Sequence, residues 1–393
     1  VLLTERMVQP MDKPTVQDIF HRFYPAYLDQ YSPSPVQAKV AHNIMNCKTG
    51  AYGANVCVCE DCGFVQIHYN SCRNRCCPMC QAVPKEMWMD ARREDVIDAP
   101  YFHLVFTVPD ILNPVIYSNQ RLLYDALYHA ASSTISELTA DPKHLGAKVG
   151  YICILHTWGS EMNFHPHIHT ILLGGGLASN NQWKDNGENF FLPIRVISKV
   201  FRGKYLEELK RLWKEDKLVF HGTAEKFRNH YTFKELLDSC YGMDWIPHCK
   251  KTFNGAQTVM KYLGKYTHRI AVSNHRTVRM DDDTVTFLVK DYRNEGQWKE
   301  LTISGVEFVR RFLMHVPPRR FVRIRHYGLL CSRTKNQKLT LCRNLLGCKK
   351  YLSKLRDMEM PEILEHLYGI KVCVCKACGG HLGKPQMRMP LRC

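Results

Sequence analysis

The run Phe164-His165-Pro166-His167-Ile168-His169-Thr170-Ile171-Leu172-Leu173 carries three histidines at alternate positions. Successive side chains of a strand point to opposite faces, so in an extended chain His165, His167 and His169 project to one side. Three imidazoles sharing a face suit a bound metal ion better than three unrelated half-buried histidines. Tyr151 to Trp158 forms a second strand pattern just upstream, joined by the polar connection Gly159 to Asn163. Paired as a hairpin, it sets His156 roughly opposite His167 and offers a ligand from the neighbouring strand.

Cysteine provides a second chemistry. The chain has 18 cysteines, many in Cys-x-x-Cys pairs: Cys59 and Cys62, Cys77 and Cys80, Cys375 and Cys378. With no signal-peptide pattern at the N-terminus, this clustering points to reduced thiolates holding zinc in the cytoplasm, not to a secreted disulfide framework. Two knuckles separated by a short β-rich segment predict one tetrahedral site of Cys59, Cys62, Cys77 and Cys80, with sulfur about 2.3 Å from the ion. Cys57, His68, Cys72 and Cys76 are left for a second site or for burial as small residues. The C-terminal knuckle lacks an adjacent partner; Cys331, Cys342 and Cys348 are its distant candidates.

Tyrosine is the third. Asn254-Gly255-Ala256-Gln257 has the form of a helix start, and the helix it predicts carries Tyr262 and Tyr266 on one face among Lys261, Lys265 and Arg269. In isolation such a pair would most simply pack against a core. The histidine cluster and the cationic neighbours turn the reading away from core packing, and Gly264 removes bulk where a phosphate backbone could approach. Arginines interleaved with aromatics, among them Arg73, Arg75, Arg323 and Arg325, suit phosphate contacts and base stacking.

The elements that must position these groups read as follows. Thr15 to Tyr27 and Pro35 to Cys47 have helical spacing, as does Lys85 to Val96; Tyr101 to Val108 is a strand; Asn113 to Ala140 is a long helix. Trp245 to Lys251 returns to the sheet at an edge, because Pro247 cannot donate to a ladder, and Thr277–Met280 with Thr284–Lys290 forms a hairpin. The predicted class is α+β, an antiparallel sheet backed by helices. Three regions are expected: 1–95, helical segment plus zinc module; 96–275, the sheet domain carrying the histidine strand, with an insertion at about 178–245; and 276–393, a basic C-terminal domain with a possible second zinc knuckle.

The 393 residues include 54 Lys+Arg against 37 Asp+Glu, a formal charge of +17 that favours a polyanionic partner. No run of 18 apolar residues occurs, so no membrane span is expected.

The histidine strand, the Tyr-x-x-x-Tyr helix and the preceding cysteine-rich module together are similar to the HUH superfamily of single-strand nucleases. More narrowly, the chain resembles the two-tyrosine rolling-circle transposases of the insertion-sequence ninety-one type, over about residues 10 to 380. The matching stretches are Tyr69 to Arg75 with Cys77-Pro78-Met79-Cys80, Tyr101 to Thr107, Leu155 to Gly159, His165 to His169, Tyr262 to Arg269 and Arg323 to Gly328. Cys76 departs from the pattern, which commonly has histidine there.

The resemblance implies His167 and His169 as paired ligands of a catalytic divalent ion, Mg²⁺ or Mn²⁺, with His156 as third ligand and His165 as its competitor; three imidazoles would also hold Zn²⁺. It implies Tyr262 and Tyr266 as nucleophiles that cleave and rejoin single-stranded DNA at element ends, including hairpins or junctions, through 5′-phosphotyrosine links in a bacterial, nucleoid-associated protein. A replication initiator or relaxase would use the same chemistry, and a non-catalytic zinc-ribbon DNA-binding regulator is the reading from another class.

Overall fold

The computed structural model describes residues 13–186, 190, 192–245, 247–253, 259, 264, 270–291 and 294–388. The predicted α+β class is what it shows. A six-stranded sheet runs β11-β4-β5-β3-β7, with β6 added to β5. Its members are β3 (Tyr101–Thr107), β4 (Lys148–Trp158), β5 (Phe164–Leu177), β6 (Trp183–Asp185), β7 (His248–Phe253) and β11 (Ile324–Gly328), and every pairing is antiparallel. β7 lies at the edge, where the neighbouring proline costs no ladder bond.

The period of two sorts side chains between the faces of this sheet. Phe102, Leu104 and Phe106 of β3, Tyr151, Cys153 and Leu155 of β4, and Ile168 and Leu172 of β5 enter the main core. Helix Gln120–Ala140 covers that face through Leu123, Leu127 and Ile135. Asn119 separates it from helix Asn113–Ser118, so the single helix expected over Asn113 to Ala140 is two. The opposite face presents Ile152 and Ile154 of β4 and Ile171 and Leu173 of β5, packed with Ile97, Val259, Leu329 and Leu339. Trp88 and Met89 of helix Ala82–Arg93 cover part of it.

Two smaller sheets flank this layer. β1 (Ala54–Val58) pairs with β2 (Val65–Tyr69) on one side and with β12 (Gln386–Arg388) on the other. β8 (Thr277–Met280), β9 (Thr284–Asp291) and β10 (Gln297–Ser304) form a meander. Helix Val16–Gln30, closed at its start by a Thr15/Asp18 capping box, packs against helix Gly305–Met314: Phe20 and Phe312 meet edge to face at 5.2 Å. Gly305 is required there, since a Cβ would stand 2.2 Å from Phe23 Cγ.

Packing therefore runs across the expected regional boundaries. The first helices share a core with Val285, Phe287, Phe308 and Phe312, and β12 completes a sheet begun by β1. The segment expected as an insertion is also integral. Helix Ile194–Lys214 sends Ile197, Phe201, Tyr205, Leu206 and Leu209 into the main core, all fully buried, with Phe201 against Phe106 at 4.9 Å between ring centroids. Its polar outer face hid this role in the sequence.

Phe201→Ala consequently removes a large buried side chain beneath β3 and is expected to cost about 3–5 kcal/mol of unfolding free energy. Denaturant unfolding of the variant checks this; a cost below about 1 kcal/mol, as on a surface appendage, would contradict it.

Candidate metal centre

His156, His167 and His169 are brought together: their ring nitrogens lie within 4.8 Å of one another, and all three side chains are buried. The β4–β5 register causes this directly, because His156 is the residue opposite His167. His169 follows two residues on, on the same face. The His156 ring is edge-on to His167 at 5.6 Å and to His169 at 4.7 Å, and stacks on Trp158 at 4.3 Å. His165 is outside this group although its ring centroid lies 5.2 Å from that of His167; its Nδ1 is 3.3 Å from Asp110 Oδ1 at the exposed margin.

Hydrogen bonds decide which nitrogens face inward. His167 Nδ1 lies 2.7 Å from the His165 carbonyl, which can only accept, so Nδ1 carries the proton and Nε2 keeps its lone pair. His167 Nε2 is 3.1 Å from His169 Nε2. His169 Nδ1 is in turn 2.9 Å from His103 Nε2 on β3. With His103 as acceptor, His169 donates from Nδ1 and also turns a lone pair inward, and two lone pairs at 3.1 Å attract a cation between them. Burial pushes the His167 pKa down to about 4 and that of His169 well below its ordinary value, so both rings are neutral at pH 7. The donor set fits a divalent ion.

The turn joining the two strands is held from outside the sheet. His315, at the end of helix Gly305–Met314, donates from Nε2 to the Met162 carbonyl at 3.0 Å and accepts from Thr157 Oγ1 at Nδ1, 3.1 Å away. Arg276 donates to the Ser160 carbonyl at 2.6 Å, and Arg311 to that of Glu161 at 2.9 Å. On the helical side, Leu155 N donates to Tyr128 Oη at 3.0 Å, fixing β4 one residue before His156.

The cysteines correct the expected quartet. Cys77 and Cys80 do not cluster with Cys59 and Cys62; they cluster with Cys47 and Cys72, all four sulfurs lying within 4.8 Å of one another. Cys59 and Cys62 lie beside Cys375 and Cys378. The β1–β2 hairpin carries the Cys59 knuckle away from the Cys77 knuckle, and the turn after helix Pro35–Met45 brings Cys47 in instead. Cys72 N donates toward Cys47 Sγ at 3.5 Å, and hydrogen bonds from Cys72 and Cys77 hold the Cys80 thiol far below its usual range. Among the remaining candidates, His68 pairs with Gln66 at 2.7 Å, and Cys57 and Cys76 are buried outside both quartets.

The cationic candidates divide. Arg73 is exposed, Arg75 donates to the Phe321 carbonyl at 2.6 Å, and Arg325 lies 4.0 Å over the Tyr128 ring while pairing with Asp125. Burial lowers the pKa of Arg323. Tyr262, Tyr266, Lys261, Lys265 and Arg269 lie outside the described residues. Gly264 is described, and it faces protein: a Cβ there would meet Met89 Sδ at 2.1 Å, so its missing side chain leaves space that the Met89 side chain takes. His103 escaped the sequence reading, although its position one strand over on the histidine face could have suggested a positioning role.

Residues 19–108 match the family model "Transposase zinc-binding domain", and residues 150–338 match the model "Putative transposase". The chain is 40% identical over 369 residues to "Putative transposase y4qJ" of Sinorhizobium fredii, covering 93% of each. It is 30% identical over 309 residues to the "Transposase for insertion sequence element IS801" of Pseudomonas savastanoi pv. phaseolicola, covering 77% of this chain and 72% of that one. The chain belongs to the insertion-sequence ninety-one type of transposases. Among solved structures, a metal-bound conjugative relaxase TrwC in complex with oriT DNA is similar at 14% identity and a TM-score of 0.23, covering 42% of this chain and 69% of that one. Cys47, Cys72, Cys77 and Cys80 all fall within the span of the zinc-binding domain, which supports structural zinc in this transposase. Among the described residues, no helix is long and apolar enough to cross a membrane.

Manganese titration calorimetry checks the second layer of the histidine centre. His103→Ala is expected to weaken binding about 10–100-fold by releasing the His169 ring, whereas His165→Ala leaves it within about threefold. Equal affinities for wild type and His103→Ala would remove the positioning role.

Proposed function

We propose that this transposase cleaves and rejoins single-stranded DNA at element ends, with His156, His167 and His169 holding a divalent ion and Tyr262 and Tyr266 as successive nucleophiles. The three-imidazole cluster, in a chain of this family, carries the reading. His103 and the His165 carbonyl orient the His169 and His167 rings, and burial keeps these two unprotonated. When bound, the ion, Mg²⁺ or Mn²⁺, supplies polarisation of the scissile phosphate and neutralises its developing charge.

The tyrosine oxygen forms the new bond to phosphorus while the phosphorus–O3′ bond breaks. The phenolic proton is lost and the departing O3′ gains one, leaving a 5′-phosphotyrosine and a free 3′-OH. Attack by a later 3′-OH reverses these bond changes and rejoins the strand. On a helix the i, i+4 spacing sets the two Cβ atoms roughly 6 Å apart, so the tyrosines can address one phosphate in turn. Two described neighbours support their approach to the histidine face: Val259 is buried with Ile152, Ile154 and Ile171 of that face, and Gly264 abuts Met89, which packs on the same cluster.

Mass spectrometry of tyrosine-linked oligonucleotides, after incubation with single-stranded element ends, tests the proposal. The double variant Tyr262→Phe, Tyr266→Phe is expected to form no adduct, and His167→Ala to lose cleavage while DNA affinity, set mainly by basic groups, stays within about threefold. A covalent adduct in the double variant would overturn the assignment of nucleophiles.

A further inference from the structure

Cys59, Cys62, Cys375 and Cys378 come from opposite ends of the chain, yet their four sulfurs lie within 4.8 Å of one another. The cross-pairs are Cys59 Sγ to Cys378 Sγ at 3.5 Å and Cys62 Sγ to Cys375 Sγ at 3.8 Å. Those separations far exceed a disulfide bond of about 2.05 Å. They match the edge of a tetrahedron whose corners stand about 2.3 Å from a central ion, which is about 3.8 Å.

The two knuckles repeat one backbone geometry. Gly63 N donates to the Cys59 carbonyl and Gly379 N to the Cys375 carbonyl, each at 3.0 Å, and both glycines take the left-handed conformation, at φ +69° and +79°. Cys59 N donates to the Phe64 carbonyl at 2.9 Å, and Cys375 N to the corresponding Gly380 carbonyl at 2.8 Å. In the second knuckle Ala377 N and Gly380 N point at Cys375 Sγ and Cys378 Sγ, each at 3.4 Å, as donors that stabilise thiolates.

The apolar packing around the four sulfurs is small. Among the described residues the hydrophobic cluster here consists of Cys57, Cys59, Cys375 and Leu382, so two of these four are themselves knuckle thiols. Beyond it, among the described residues, stand strand bonds such as Glu60 N to the His381 carbonyl and Gly383 N to the Val58 carbonyl, the β1–β12 pairing, and two solvent-exposed contacts of His381, its N donating to Asp61 Oδ2 at 3.3 Å and its Nδ1 3.3 Å from Glu60 Oε2. Small units with so little core depend on a metal or a cross-link.

We infer that Cys59, Cys62, Cys375 and Cys378 bind a second structural Zn²⁺ that fastens the C-terminal segment to the N-terminal β1–β2 hairpin. Four thiolates select zinc and close its coordination sphere, leaving no position for substrate. Half of the ligands lie beyond the span matched by the zinc-binding domain, so that match does not contain this site. The inference does not rest on the proposed strand-transfer chemistry.

Thiol mapping of the intact wild-type chain tests it without a variant that must fold. Cys62 and Cys378 are exposed, and so are Cys331 and Cys373, which belong to neither quartet and serve as internal standards. Under iodoacetamide, Cys62 and Cys378 are expected to react at least tenfold more slowly than Cys331 until a zinc chelator is added, and then at a comparable rate. Elemental analysis of the double variant Cys375→Ser, Cys378→Ser is expected to show one zinc fewer per chain, with the Cys47, Cys72, Cys77 and Cys80 thiols still protected. Rapid alkylation of Cys62 and Cys378 without chelator, or equal zinc in variant and wild type, would overturn the inference.

Discussion

The register between β4 and β5 is the constraint on which the rest depends. Setting His156 opposite His167 leaves His169 on the same face two residues on, and a slip by one residue would send one of these strands' histidines into the helical core. Packing on both sides enforces the register. Cys153, Leu155, Ile168 and Leu172 require the helices on one face, and Ile152, Ile154 and Ile171 require the covering layer on the other. The hairpin turn adds its own restraint through His315, Arg276 and Arg311, all supplied by the C-terminal half. The meander and its helix thus hold the turn of the histidine hairpin, whatever else they contact.

Burying three imidazoles costs solvation, and the arrangement makes that cost useful. Neutral rings are the form that binds metal, and desolvation keeps His167 and His169 neutral. The His165 carbonyl then determines which His167 nitrogen stays bare, and His103, as acceptor, does the same for His169. Cations needed for DNA cannot all come from the arginines nearest this sheet, since Arg75 and Arg325 already bond to carbonyl, carboxylate or ring partners. The overall excess of positive charge supplies attraction that individual contacts here do not.

Much of the histidine centre was legible because its signal is local. Alternation in Phe164 to Leu173 and the short connection to Tyr151–Trp158 predict a hairpin and its pairing without knowledge of anything distant. The cysteines show the opposite case. Cys-x-x-Cys identifies a knuckle but says nothing of its partner, and two adjacent knuckles invite a pairing with each other when the sulfurs that cluster with them are those of Cys47 and Cys72 for one and Cys375 and Cys378 for the other. Gly264 was read as space for a ligand when it is space for Met89. The region of about 178–245 read as an insertion because it is polar, while Phe201 and Tyr205 of its helix Ile194–Lys214 belong to the core. In each case the missing information was a contact far away in sequence.

The central claim is that the β4–β5 hairpin presents three imidazoles to one divalent ion. Electron spin-echo spectroscopy of the Mn²⁺-loaded chain, grown once with ¹⁵N-histidine and once without, reads the bound nitrogens directly. Hyperfine coupling to three histidine nitrogens is expected, falling to two in His156→Ala and unchanged in His165→Ala. Manganese that binds with no histidine coupling, or coupling lost on replacing His165 and kept on replacing His156, would contradict it.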